Sequence, residues 1–194
     1  DTQKRDAVPV LVPLDDGDVD VDSVRAAITP RTRVLFLATP NNPTGREIPR
    51  DALLELVHGL PQHVLPVLDE AYLDYLDPAE RFDAVTDLVH QGLDAVVLRT
   101  FSKLYGLAGT RIGYGIGPEA VVRAVRKVQR GYDVSTVGQA GALASLDDDD
   151  EVARRRQANA GAVAALRELL LAHGLRPLEG TRTNFLLEIG RAHV

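Results

Sequence analysis

The sequence predicts an α/β fold built on a mainly parallel sheet, and three observations carry that prediction. Short apolar runs recur at residues 34–38, 64–68 and 95–98. Stretches with helical spacing separate them. Each run closes on polar or turn-forming residues rather than fading into a loop. Strands covered on both faces by crossover helices read as continuous apolar runs of this kind, not as alternating ones.

In chain order, residues 8–13 (Val-Pro-Val-Leu-Val-Pro) read as extended, with the prolines restricting them to an edge. Asp16, Asp18 and Asp20 alternate like the start of a calcium loop. Val21 then stands where that loop needs Gly, and Ala27 where it needs Glu. Residues 15–22 are therefore expected as a loop that caps a helix over 22–28. A helix over 50–60 carries Leu53, Leu54, Leu56 and Val57 on its apolar face. The second run ends at Asp69, and a helix over 83–91 leads to the third, which ends at Arg99-Thr100.

A further strand is expected over 110–116, and Pro118 suits the first turn of a helix reaching about residue 130. A helix over 136–146 follows. The acidic stretch 147–151 complements the dipole of a long helix over 151–173, which Gly174 ends. The last element, 184–189, reads as a strand. A boundary is expected at the long helix, with one domain over 1–148 and the start of a second over 149–194.

Composition narrows the function classes. The 194 residues carry 22 Lys plus Arg against 28 Asp plus Glu, a formal net charge of −6, which disfavours nucleic acid or an anionic membrane as partner. No apolar run is long enough to span a bilayer. With no cysteine, disulfides, thiolate zinc sites and cysteine nucleophiles are excluded, and a cytoplasmic location fits. The five histidines lack metal-ligand spacing, so no metal is expected. There is no methionine either, and the opening Asp1-Thr2-Gln3-Lys4 holds no helix or strand start. These features favour an internal piece of a longer protein. The last six residues match a translated sequencing-adapter string, so a non-native tail is a further expectation.

The three central runs lead into Asn41-Asn42-Pro43-Thr44-Gly45, Asp69-Glu70-Ala71-Tyr72 and Thr100-Phe101-Ser102-Lys103. Ligands of open α/β sheets bind at the carboxyl ends of the strands, so these segments should meet on one rim. A lysine there can form a Schiff base with a carbonyl. Asp69 needs a cation, which a protonated ring nitrogen would provide. Thr100, Ser102 and Arg111 offer two hydroxyls and a guanidinium, a set suited to a phosphate dianion. An aldehyde, a pyridinium and a phosphate together describe pyridoxal 5′-phosphate.

These motifs, together with Leu104-Tyr105-Gly106-Leu107-Ala108-Gly109-Thr110-Arg111-Ile112-Gly113, resemble the fold-type I, class I/II aminotransferases. Within that family they are most similar to the histidinol-phosphate and aromatic aminotransferase branch. The resemblance covers essentially the whole chain, and Arg111 eight residues after Lys103 is its most specific part. It implies a three-layer α/β/α large domain followed by the start of a smaller α+β domain. It implies that Lys103 joins the cofactor aldehyde and moves a proton between the substrate α-carbon and C4′. Asp69 would pair with the pyridinium nitrogen, Asn42 and Tyr72 with the 3′-oxygen, and Thr100, Ser102 and Arg111 with the phosphate. Gly106 and Gly109 would let the backbone turn beside the cofactor.

The implied reaction is histidinol phosphate plus 2-oxoglutarate to imidazole acetol phosphate plus glutamate, in a homodimer. An aromatic amino acid aminotransferase, a threonine-phosphate-type decarboxylase and a non-catalytic fragment are the alternatives. The family's glycine-rich phosphate turn, ring-stacking aromatic and substrate-gripping arginine have no counterpart here. Gly115-x-Gly117-x-x-Ala120 matches a dinucleotide fingerprint, but the acidic residue about 20 positions on is missing. Glu70 reads as a solvated neighbour of Asp69, and Tyr75, Tyr105, Tyr114 and Tyr132 as packing or rim residues.

Overall fold

A computed structural model describes residues 7–190. The opening tetrapeptide and residues 191–194 of the tail lie outside them. Two short strands, β1 (Leu14–Asp15) and β2 (Asp18–Val19), pair antiparallel in place of the expected loop. Helix α1 (Val21–Ala26) follows, with Asp20 as its cap: the carboxylate accepts from Ser23 N at 3.0 Å.

Strands β3 (Val34–Ala38), β4 (Leu65–Asp69), β5 (Val96–Thr100) and β6 (Gly113–Ile116) form one sheet in that order. The first three are parallel and β6 is antiparallel. That reversal gives a structural reason against a dinucleotide turn after β6, since the fingerprint belongs to a parallel βαβ unit. Helix α2 (Arg50–His58) connects β3 to β4 and ends at Gly59. The expected helix over 83–91 is broken into α3 (Ala84–Asp87) and a single 3₁₀ turn, Val89–Gln91. Buried Leu88, with φ −122° and ψ −62°, makes the break.

Strand alternation divides the sheet. Leu37, Leu68 and Val97 point to one face and pack with Val24 of α1, Leu53, Leu56 and Val57 of α2, and Ala84 of α3. On the opposite face, Val34 and Phe36 remain 55% and 58% exposed. Asp69 and Thr100 share that second face, at the carboxyl ends of their strands.

Helices α4 (Glu119–Val128), α5 (Thr136–Leu146) and α6 (Asp149–Ala172) follow the sheet. A smaller core of Phe101, Ile112 and Ala142 holds α5 against the segment after β5. Helix α6 starts at Asp149 rather than at the expected residue 151, because Asp148 caps it by accepting from Glu151 N at 3.2 Å. Residues 184–189 do not form a strand. Their chain returns instead to the sheet rim: Arg182 N donates to Gly45 O at 2.8 Å, and Asn159 Nδ2 of α6 to Thr183 O at 3.1 Å.

Candidate active site

Five of the sequence-predicted residues, Asp69, Thr100, Ser102, Lys103 and Arg111, line one cleft of about 390 Å³. Its remaining walls are Ala71, Leu98, Arg99 and Ala108. Asp69 and Thr100 come from the ends of β4 and β5, whose parallel pairing aligns Asp69 with Leu98. Asp69 Oδ1 accepts from Ala71 N at 3.0 Å, which fixes the carboxylate at the strand end through a local turn. Thr100 Oγ1 accepts from Ser102 N at 3.1 Å and lies 3.4 Å from Ile112 O. The turn after β5 is thus tied to the approach of β6. Arg111 adopts left-handed φ (54°), and its Nη1 donates to Ala108 O at 2.8 Å.

Asn42 and Tyr72 form a separate pair, with Asn42 Nδ2 3.2 Å from the Tyr72 hydroxyl. Lys103 joins that pair to the cleft, since its Nζ sits 4.9 Å from the Tyr72 ring centroid. The loop carrying Asn42 is closed by its own hydrogen bonds. Asn41 Nδ2 donates to buried Thr44 Oγ1 at 3.1 Å, and Gly45 N to Asn41 O at 2.7 Å. Gly45 has φ +73°, and a Cβ there would stand 1.9 Å from Thr181 Oγ1. Glycine is therefore required both by the turn and by the returning C-terminal segment.

Gly106, at φ +72°, does turn the backbone after Lys103, as expected. Gly109 has no left-handed φ, and a Cβ added there would meet no protein atom within 4 Å. Glu70 is the larger correction. It is 1% exposed, not solvated. Its Oε1 accepts from Ala84 N at 2.7 Å, and its Oε2 from Arg99 Nε at 2.8 Å. Arg99 Nη2 also reaches Asp83 Oδ1 at 2.8 Å. Burial pushes the Glu70 carboxyl above its usual range, while Arg99 and the Ala84 N–H pull it back. For Arg99, burial acts downward but Glu70 and Asp83 outweigh it, so the guanidinium is held above its ordinary value.

Phe185 was not among the sequence-predicted site residues, yet its ring packs edge-on against Tyr72 with centroids 5.2 Å apart. Tyr105 is half-buried beside Phe101, and that burial pushes its hydroxyl up to about 12.

Comparison with known proteins agrees with this geometry. The family model described as aminotransferase class I and II matches residues 2–193. The chain belongs to that family. A histidinol-phosphate aminotransferase of Erythrobacter litoralis is 44% identical over 184 residues, covering 93% of this chain and 50% of the relative. An aromatic amino acid aminotransferase of Mycobacterium tuberculosis is 43% identical over 180 residues, with the same two shares. Among solved structures, histidinol-phosphate aminotransferase from Sinorhizobium meliloti in complex with pyridoxal-5′-phosphate superposes with a TM-score of 0.87 at 31% identity. That match covers 95% of this chain and 50% of the other. Thermus thermophilus aspartate aminotransferase with maleate gives 0.72 at 31% identity, over 84% and 44%. The chain thus spans about half the length of the class I and II aminotransferases it matches.

Proposed function

We propose that this chain is the cofactor-binding part of a pyridoxal phosphate-dependent aminotransferase that converts histidinol phosphate and 2-oxoglutarate to imidazole acetol phosphate and glutamate. The observation that carries the reading is the convergence of Lys103, Asp69 and the Thr100–Ser102–Arg111 set on one cleft. The donor set fits the group. Asp69 has no ion-pair partner among the described residues, and Ala71 and Ala108 keep the walls beside it low.

When bound, pyridoxal phosphate supplies a carbonyl for the amino group and an electron sink for the α-carbon's electrons. Lys103 Nζ would hold the cofactor aldehyde, and its amine is the group placed to take and return a proton at the substrate α-carbon. Asp69 would face the ring nitrogen and favour its protonated form. Asn42 and the Tyr72 hydroxyl would bind the ring oxygen as a pair, and Thr100, Ser102 and Arg111 would hold the phosphate through charge-assisted hydrogen bonds. The division at residues 148 and 149, a homodimer and a cytoplasmic location belong to the same reading. Exposed Val128 at the end of α4, Tyr132 in the link and Val137 at the start of α5 support a surface that another copy covers.

An aromatic amino acid aminotransferase is the second reading, favoured by the nearly equal identity of the mycobacterial relative. Transamination of histidinol phosphate and of phenylalanine by the protein that carries this chain separates the two. Preference for histidinol phosphate is expected, and preference for phenylalanine overturns it. A visible absorbance band on adding pyridoxal phosphate, lost in Lys103→Ala, tests cofactor binding itself; without such a band the cofactor reading fails.

A further inference from the structure

We propose that Glu70 and Arg99, clamped to Asp83 on the far side of the sheet, are positioning residues that set where Asp69 and Thr100 stand in the cleft. The proposal rests on the cofactor reading above and adds to it the residues that hold the binding groups in place.

The argument begins with strand alternation. Asp69 and Thr100 share the cleft face at the ends of β4 and β5. Their chain neighbours Glu70 and Arg99 therefore direct their charged groups to the other face, toward α3, although Arg99 also borders the cleft. There the two side chains meet, with Arg99 Nη2 2.7 Å and Nε 2.8 Å from Glu70 Oε2. The Glu70 backbone belongs to the same clamp, because its N–H donates to Leu98 O at 2.9 Å and carries the β4–β5 ladder one residue past Asp69. Each cofactor-facing residue is thus covalently next to one member of a buried ion pair. Asp69 cannot shift along or away from β5 without moving Glu70, and Thr100 cannot shift without moving Arg99.

The pair is itself anchored. Glu70 Oε1 takes the Ala84 N–H at 2.7 Å, and Arg99 takes Asp83 Oδ1 at 2.8 Å. Asp83 caps α3 by accepting from Val85 N and Thr86 N at 3.0 and 3.1 Å. One carboxylate thereby serves both helix start and guanidinium. The anchoring continues through Arg81, which lies 3.7 Å from Asp83 and 3.5 Å from Asp74. Asp74 O in turn accepts from Arg156 Nε of α6 at 3.0 Å. Within this largely buried network Glu70 is fully covered and Arg99 and Asp83 are paired, and supporting contacts of that type govern how well a binding group is preorganised.

Packing alone would explain a buried ion pair, so the test needs readouts that a purely structural role leaves unmoved. Glu70→Gln, made in the protein that carries this chain, keeps size and most hydrogen bonding but loosens the clamp, while Arg99→Lys keeps the charge and gives up the forked contact. Asp83→Asn is milder and serves if either fails to fold. For each folded variant, two quantities are measured: the dissociation constant of pyridoxal phosphate, and the pH profile of its Lys103-dependent absorbance band. The expected result is a dissociation constant raised about tenfold and a displaced pH midpoint, because Asp69 no longer faces the ring nitrogen at its set position. A thermal midpoint that falls while both cofactor readouts stay at the unsubstituted values overturns the proposal and leaves the pair as packing. Absence of the band in the unsubstituted protein overturns the cofactor reading instead, and with it this proposal.

Discussion

Asp69 and Glu70 are adjacent in the chain, yet they sit on opposite sides of the sheet under opposite physical conditions. Asp69 opens into a cleft with one local hydrogen bond from Ala71 N. Glu70 is sealed under α3 with every oxygen engaged by Arg99 or a backbone N–H. Thr100 and Arg99 repeat the contrast on β5. One side of the rim keeps its charges free to meet a ligand, and the other spends its charges on each other. A single pair of strands provides both because successive side chains point opposite ways.

The contrast can be broken from either side. The largest effect is expected at the cleft: Lys103→Ala should lower transamination by about 10²–10⁴-fold while the melting temperature holds, measured by steady-state kinetics and thermal denaturation. Next comes Glu70→Ala, which strands Arg99 without its main partner. Chemical denaturation should register a loss of about 3–5 kcal/mol. If the loss is under about 0.5 kcal/mol, the sealed side is not the stabilising one.

Asp83→Ala should cost about 1 kcal/mol through the lost α3 cap, more where the Arg99 contact adds. Its carboxyl is held below the usual range: burial raises it, but the Thr86 N–H and Arg99 outweigh burial. A depressed folded value means the stabilisation is present above the unfolded value and fades as pH falls through the folded one. The gap between Asp83→Ala and the unsubstituted protein should therefore narrow below about pH 4, read from denaturation midpoints at several pH values. The smallest effect on stability is expected for Asp69→Asn, within about 0.5 kcal/mol, since its carboxylate has no ion pair to lose among the described residues. Its effect should fall on the cofactor's absorbance instead.

The three parallel strands were legible because strands covered by helices need continuous apolar runs, and residues 34–38, 64–68 and 95–98 supply them. Asp69, Thr100, Ser102 and Lys103 were legible because they follow such runs closely, and Arg111 through its spacing from Lys103. Residues 184–189 have a strand-like composition but no ladder: Leu178 N bonds Leu187 O at 2.6 Å, while Phe185 goes to Tyr72. Strand propensity without a pairing partner does not make a strand. The break at Leu88 had no sequence mark, since its irregular backbone accompanies complete burial of the side chain. Glu70 differs from its sequence reading for a related reason. An acidic residue beside another reads as solvated until a guanidinium 29 positions away is brought to it.

Local sequence was enough to set the three parallel strands, the main helices and the chemistry at the strand ends, because periodicity and residue type are local properties. Tertiary structure settled which of the neighbouring charges face a ligand and which neutralise one another. It also brought Phe185 and Thr183 back to the loop of Asn42. Those outcomes depend on burial and on contacts between distant segments, and no window of sequence contains either.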